Sequence, residues 1–266
     1  MPSSPHHPTA ASPLPSRIDL NCDIGESFGA WAMGADAQVM PWITSANIAC
    51  GFHAGDFSTM RQTVALALKH GVAIGAHVSL PDLQGFGRRE LRVSTDEAYA
   101  MTLYQIGALA AFARAAGTRV AHVKPHGALY NMAAKDAELA DAIARAVLDA
   151  GDGLALVGLA GSELTKAGAR LGLHVVNEAF ADRRYEADAT LMPRRERDAV
   201  IDDVDAAVAQ AVQIVTMGNV QARDGSIVRI AADTLCVHGD RTDAGTFARR
   251  LRQALEDAAV VVAALD

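Results

Sequence analysis

The sequence is poor in everything that would direct it to a membrane, a nucleic acid or a disulfide scaffold. It has three cysteines, Cys22, Cys50 and Cys236, and no Cys-x-x-Cys pair. So sparse and odd a set excludes a disulfide framework and fits a reducing compartment, the cytoplasm. No stretch approaches the ~18 consecutive apolar residues of a membrane helix. No basic run stands out among 24 Lys and Arg set against 31 Asp and Glu, a net charge of -7, so there is no nucleic-acid footprint. Residues 1–16, MPSSPHHPTAASPLPS, lack the apolar core of a secretory signal. Their Pro/Ser composition predicts a disordered tail with His6 and His7 in solvent.

Several catalytic signatures are also missing. There is no G-x-x-x-x-G-K-S/T phosphate loop, and Gly151 and Gly153 are not followed by a third glycine at dinucleotide-binding spacing. Neither an H-E-x-x-H zinc helix nor a G-x-S-x-G nucleophile elbow occurs. If a nucleotide is used, the usual cradle for it is not in this chain.

What is present is a regular alternation. Half of the 266 residues are apolar, enough for a sizeable core. Short apolar runs at 18–21, 44–50, 73–77, 120–124, 154–158, 174–178 and 234–237 read as strands, and 260–264 reads as an eighth strand or a helix end. Helices are predicted between them. One spans 58–70, stopped by Gly71; another, 95–116, is opened by the capping box Ser94-x-x-Glu97. Others run over 137–150 after Asp136, 162–171, 202–217 before Gly218, and 244–258 after Thr242 or Asp243. Strands alternating with helices imply parallel pairing through right-handed crossovers. Seven or eight such units predict an α/β fold, a single closed or distorted (β/α) barrel, with an open doubly wound sheet as the second architecture. No break in composition divides residues 17–266, so they read as one domain.

The chemically capable residues gather just after the strands. Asn21, Asp23 and Glu26 follow the first, Asn47 and His53 the second, and His77 with Arg88 and Arg89 the third. Lys124, His126, Tyr130 and Asn131 follow the fourth, Glu178, Asp182 and Arg183 the sixth, His238 and Asp240 the seventh. In a β/α barrel the carboxyl ends of all strands meet at one face, where active sites sit. One shared pocket is therefore expected for Asp19, Asp23, His53, His77, Lys124, His126 and His238. Asp19 alternates with Ile18 and Leu20 and so points into the barrel, where a buried carboxylate needs a partner; Lys124 is expected within reach of it. Side chains facing a pocket carry little core packing, so Lys124→Met and His126→Asn are expected to fold. The cysteines have no activating base in their patterns and read as small buried thiols.

At these same residues the sequence resembles the LamB/YcsF family, the A subunits of 5-oxoprolinase. The matching blocks are DLNCDIGESFG, SANIACGFHAGD, GVAIGAHVSLPDLQGFGRR, YQIGAL, HVKPHGALYN, VGLAGSEL, EAFADRRYEADATLMPR and CVHGD, running from Asp19 to Asp240. Val78, Leu80 and Phe57 depart from residues frequent in the family without removing a chemical group. The resemblance implies a barrel of the glycoside hydrolase/deacetylase kind. It also implies membership of a three-subunit enzyme, with B and C subunits, that cleaves 5-oxo-L-proline to L-glutamate with hydrolysis of ATP. For that chemistry we assign Asp19, Asp23, Glu26, His53, Lys124 and His126 to catalysis, since carboxylates and histidines move protons and a buried ammonium stabilises an oxyanion. Asn21, Asn47, His77, Arg88, Asp182, Arg183 and His238 are assigned to substrate binding.

Two other functions remain open on sequence. One is a stand-alone metal-dependent deacetylase or amidase, for which Asp23, His53, His77, His126, His238 and Asp240 include ligand types for a divalent ion. The other is a non-catalytic subunit that binds 5-oxoproline.

Overall fold

The computed structural model describes residues 17–194, 196–239 and 243–265; the predicted tail, Asp240 and Thr242 lie outside them. Ten strands occur in chain order among the described residues: β1 Arg17–Ile24, β2 Ser45–Ala49, β3 Ala73–Val78, β4 His122–Pro125, β5 Ala155–Leu159, β6 His174–Phe180, β7 Asn219–Gln221, β8 Ile227–Arg229, β9 Thr234–Val237 and β10 Val261–Val262. Strands β1 to β6 pair in sequence order, all parallel, and β9 pairs with both β6 and β1. This closes a seven-stranded barrel. The late apolar run is a strand of two residues, β10, which pairs with Arg17 and Ile18 at the start of β1, outside the ring. The antiparallel β7–β8 hairpin, turning at Asp224-Gly225, was not legible: its strands are too short to show alternation.

Period-two alternation decides which side chains enter the barrel, and here it is inverted relative to a greasy core. Ile18, Leu20, Cys22 and Ile24 of β1 lie in the apolar layer between barrel and helices. Asp19, Asn21 and Asp23 point the other way, into the lumen. The bond from Lys124 Nζ on β4 to Asn21 Oδ1 on β1, 3.0 Å, joins strands that are not neighbours and so crosses that lumen. Ala155, Val157 and Val176 of β5 and β6 supply a small apolar cluster of their own.

The helices form the outer layer: α1 Asp36–Val39, α2 Phe57–His70, α3 Thr95–Ala115, α4 Gly127–Ala133, α5 Ala137–Ala150, α6 Glu163–Arg170, α7 Val204–Met217 and α8 Ala244–Asp257. Their starts follow side-chain chemistry. Asp56, Ser94, Asp136, Ser162 and Asp203 each accept a hydrogen bond from the first turn, and Ser94 with Glu97 completes the predicted capping box. The short α4 follows β4 directly and was not foreseen.

Gly75 on β3 is required by space. A Cβ there would come within 2.0 Å of His122 Nε2, inside the lumen, where nothing can yield. Gly75→Ala is expected to lower stability by about 1–3 kcal/mol or more in urea denaturation. Gly107, exposed on α3 with nothing within 4 Å of where a Cβ would stand, is the control: Gly107→Ala should raise stability by up to about 1 kcal/mol.

Candidate active site

The lumen is layered. At its amino-terminal level, Asp19 accepts hydrogen bonds from Thr44, Ser45 and Thr234 hydroxyls. Burial raises its carboxyl above the ordinary value, and those hydroxyls offset only part of the shift. This corrects two expectations. Asp19 is not among the residues lining the cleft, and its partners are hydroxyls, not Lys124. Thr44 and Ser45 lie at the start of β2, inside a run that reads as apolar in the sequence.

Lys124 instead meets Glu178 Oε1 at 2.6 Å, Asp23 Oδ1 at 3.1 Å and Cys236 Sγ at 3.3 Å. It is 2% exposed. Burial alone would depress its ammonium, but Asp23, Cys236 and Glu178 hold it well above the ordinary value. The Asp23 carboxyl is likewise pulled up by burial and then carried well below its usual range by His77 and Lys124. Asn47 ties the layer together, donating to Asn21 Oδ1 and Asp23 Oδ1 and accepting from His122 Nε2 at 2.8 Å. Glu178 was seen in the sequence as a strand-end residue but given no role, and His122 was missed. The signal for Glu178 was its position two residues before Phe180 on β6, an inward parity; His122 stands at the same parity as Lys124 on β4.

Above this layer lies an imidazole cluster. His77 Nε2 is 3.2 Å from Asp23 Oδ2 and 2.9 Å from His126 Nδ1. His53 stacks on His126 with ring centroids 3.8 Å apart. Burial first, then His77, pushes His126 down to about 3, and burial with His126 and His77 pushes His53 well below its ordinary value. The loop after β3 holds this cluster. Asp82 accepts from the Gly85 and Arg89 backbones and from the Arg89 guanidinium. Phe86, at φ 55, takes the left-handed conformation that costs a bulky residue of order 1–3 kcal/mol. It thereby aims its carbonyl at His126 Nε2, 2.9 Å away. Glu26 joins the cluster through His53 Nε2, 3.5 Å from its Oε1. One ligand atom from each of Glu26, His53, His77 and His126 lies within 4.8 Å of the others, a set capable of holding a metal ion.

A cleft of about 830 Å³ opens onto these groups, lined by Asp23, Glu26, His77, Arg88, Lys124, His126, Arg183 and His238 among others. His53 sits behind it, fully buried, and Asn21 and Asn47 lie beneath it. On the far wall His238 Nδ1 donates to Asp182 Oδ1 at 2.7 Å, which leaves Nε2 as the ring's acceptor. Arg183 Nη2 donates to the Met192 carbonyl. Two glutamines unseen in the sequence fix the rim: buried Gln105 of α3 bonds both Ser79 N and O, and half-buried Gln210 of α7 donates to the Phe180, Ala181 and Arg183 carbonyls. Cys22, Cys50 and Cys236 are free and buried, and burial raises all three thiols, which does not suit a nucleophile.

The structure is thus a parallel β/α barrel with an ionisable cleft at the carboxyl ends of its strands, the place where barrel enzymes keep their chemistry. The chain belongs to the LamB/YcsF family, which it matches over residues 18–266. It is 58% identical over 247 residues to a Bordetella pertussis protein named as the A subunit of 5-oxoprolinase, covering 93% of this chain and 98% of that one. The Bacillus subtilis protein of the same name is 56% identical over 249 residues, 94% and 97% of the two chains. The crystal structure of a lactam utilization protein from Thermus thermophilus superposes with a TM-score of 0.89 at 48% identity, covering 94% of this chain and all of that one. Among the described residues no helix is long and apolar enough to cross a membrane.

The buried charges make stability depend on pH in two opposite ways. Lys124→Met leaves Asp23 and Glu178 without their ammonium, so it does not fold as freely as a pocket-lining position would; a loss of roughly 3–5 kcal/mol at pH 7 is expected. Burial raises the Asp23 carboxyl once Lys124 no longer offsets it, so protonation relieves it. The deficit against wild type, read from urea midpoints, should therefore narrow from pH 7.5 to about pH 5. His122, pushed down to about 3 by burial and then by Lys124, acts in the other direction. Between about pH 6.5 and 3 the unfolded chain holds a proton there that the folded chain does not, so stability falls as pH falls, by on the order of 1 kcal/mol per pH unit. His122→Gln should remove that part of the slope.

Proposed function

We propose that this chain is the A subunit of an ATP-dependent 5-oxoprolinase, a cytoplasmic complex with B and C subunits that opens 5-oxo-L-proline to L-glutamate. Residues 17–266 act in it as one domain. The observation that carries this reading is the cleft. Carboxylates, imidazoles, a buried ammonium and two arginines converge there from separate strand ends, in a chain 58% identical over nearly its whole length to a protein of that name.

A five-membered lactam is a poor electrophile. Transfer of a phosphoryl group from ATP to its amide oxygen makes the ring carbon attackable. Water adds there, and the ring C–N bond breaks as the nitrogen takes a proton. The acyl phosphate left behind takes a second water to give glutamate and phosphate. The residues match these needs. His238 lines the cleft with its orientation set by Asp182 and is suited to move protons, while His126, with both ring nitrogens engaged, anchors the imidazole cluster. Arg88 and Arg183 provide positive charge for the substrate carboxylate or the phosphoryl group. Lys124, already engaged by Asp23 and Glu178, forms the floor and fixes the field that the reacting carbonyl meets.

The test is glutamate formation from 5-oxoproline, with and without ATP and the candidate partner subunits. The purified chain alone should yield none, and the reconstituted complex should turn over only with ATP. His126→Asn in that complex should lose about 10²-fold or more in rate with unchanged circular dichroism; near-normal turnover removes His126 from the chemistry. Full turnover by the single chain contradicts the need for partners. ATP-independent amide hydrolysis stopped by a chelator gives the protein instead to the stand-alone metal-dependent class, a reading favoured by the grouping of Glu26 with three histidines.

A further inference from the structure

His77 and His126 each give one ring nitrogen to a backbone carbonyl. His77 Nδ1 lies 2.9 Å from Lys124 O, and His126 Nε2 lies 2.9 Å from Phe86 O. A carbonyl only accepts, so each ring carries a hydrogen on its outer nitrogen. The inner nitrogens, His77 Nε2 and His126 Nδ1, face each other at 2.9 Å, with Asp23 Oδ2 3.2 Å from His77 Nε2. That arrangement is repulsive unless a cation or a shared proton stands between them. His53 decides between the two. It is 0% exposed, and among the described residues neither of its ring nitrogens has a hydrogen-bond partner. One proton between His77 and His126 leaves His53 unsatisfied, whereas a metal ion answers all three rings together.

We propose that Glu26, His53, His77 and His126 hold one divalent first-row transition ion, with Zn²⁺ the best match. The donors are three imidazoles and one carboxylate, with no thiol among them. This set is too rich in nitrogen for Ca²⁺ or Mg²⁺, which take oxygen ligands, and it suits Zn²⁺ and its neighbours in the transition series. Four ligand atoms placed tetrahedrally about 2.1 Å from one ion stand about 3.4 Å apart. The four donor atoms lie within 4.8 Å of one another, so a closure of at most about 1.4 Å completes the site. The carbonyls of Lys124 and Phe86 hold the tautomers that ligation requires, as outer partners of metal-bound histidines do. Glu26, His77 and His126 line the cleft, which gives the ion a way in.

This inference does not depend on the proposed reaction, and its test uses the chain alone with no nucleotide or partner. Chelator-treated protein is titrated with Zn²⁺ by calorimetry and with Co²⁺ by visible absorption. The expected result is one ion per chain, a Co²⁺ spectrum of nitrogen and oxygen ligation, and at least tenfold weaker binding in Glu26→Gln and in His53→Ala. His174→Asn, an exposed histidine at the start of β6 and outside the cluster, should bind as wild type does. If His53→Ala fails to fold, Glu26→Gln and the wild-type spectrum still decide. No binding to wild type at 100-fold excess of either ion overturns the proposal, as does affinity unchanged in Glu26→Gln. A shared proton between His77 and His126 seen by NMR in the presence of excess Zn²⁺ overturns it too.

Discussion

One ammonium group governs the inside of this barrel. Lys124 Nζ is the cation placed among Asp23, Glu178 and Cys236, on strands β1, β6 and β9, while it sits on β4. Taking those carboxylates out of water is expensive, and close opposite charge with supporting hydrogen bonds is what makes it tolerable. The result is a hub that ties together strands on opposite sides of the ring. The Asn21, Asn47 and His122 amide and imidazole bonds extend it, and such cross-strand bonds stiffen the lumen. The floor of the cleft is therefore fixed before any ligand arrives.

The rim is held by a different device. Loops carry the groups that face the cleft, yet they are clamped from the helix layer. Gln105 pairs with Ser79 as a strand neighbour would, and Gln210 gathers three carbonyls after β6. Asp82 folds the loop that ends in Arg88 and Arg89. The unfavourable backbone of Phe86 is sustained by this surrounding order, and it serves to aim one carbonyl at His126. Strain kept where it orients a functional ring is a common arrangement in active sites.

Most of the barrel was legible because its strands obey one rule, apolar outward and parallel, with capped helices between them. Asp56, Asp136 and Ser162 mark helix starts in the sequence and in the structure alike. The site was legible as a set of strand ends, and Asp23, Glu26, His77, Arg88, Lys124, His126, Arg183 and His238 do meet at one cleft. Pairings were not legible, because they depend on depth in the lumen. Asp19 lies four residues before Asp23 on the same inward face, a difference that sets it beside Ser45 and Thr234 and away from Lys124. The role of Glu178 was not legible for the same reason: only strand register places it opposite Thr234 and within reach of β4. The β7–β8 hairpin and α4 are short elements whose existence follows from tertiary packing more than from local pattern.

The inverted polarity of the strands also bears on how the chain finds its pairing. A slip of one residue along any strand exchanges its two faces. For β1 that would turn Ile18, Leu20, Cys22 and Ile24 into a lumen of carboxylates and amides, and drive Asp19, Asn21 and Asp23 into the apolar layer under the helices. For β4 it would bury Lys124 against hydrocarbon with no counter-charge. Misregistered barrels are thus penalised twice over, on both sides of the same strand. The residues gathered for chemistry double as a proofreading code for assembly, so the cleft and the fidelity of the fold are inherited together.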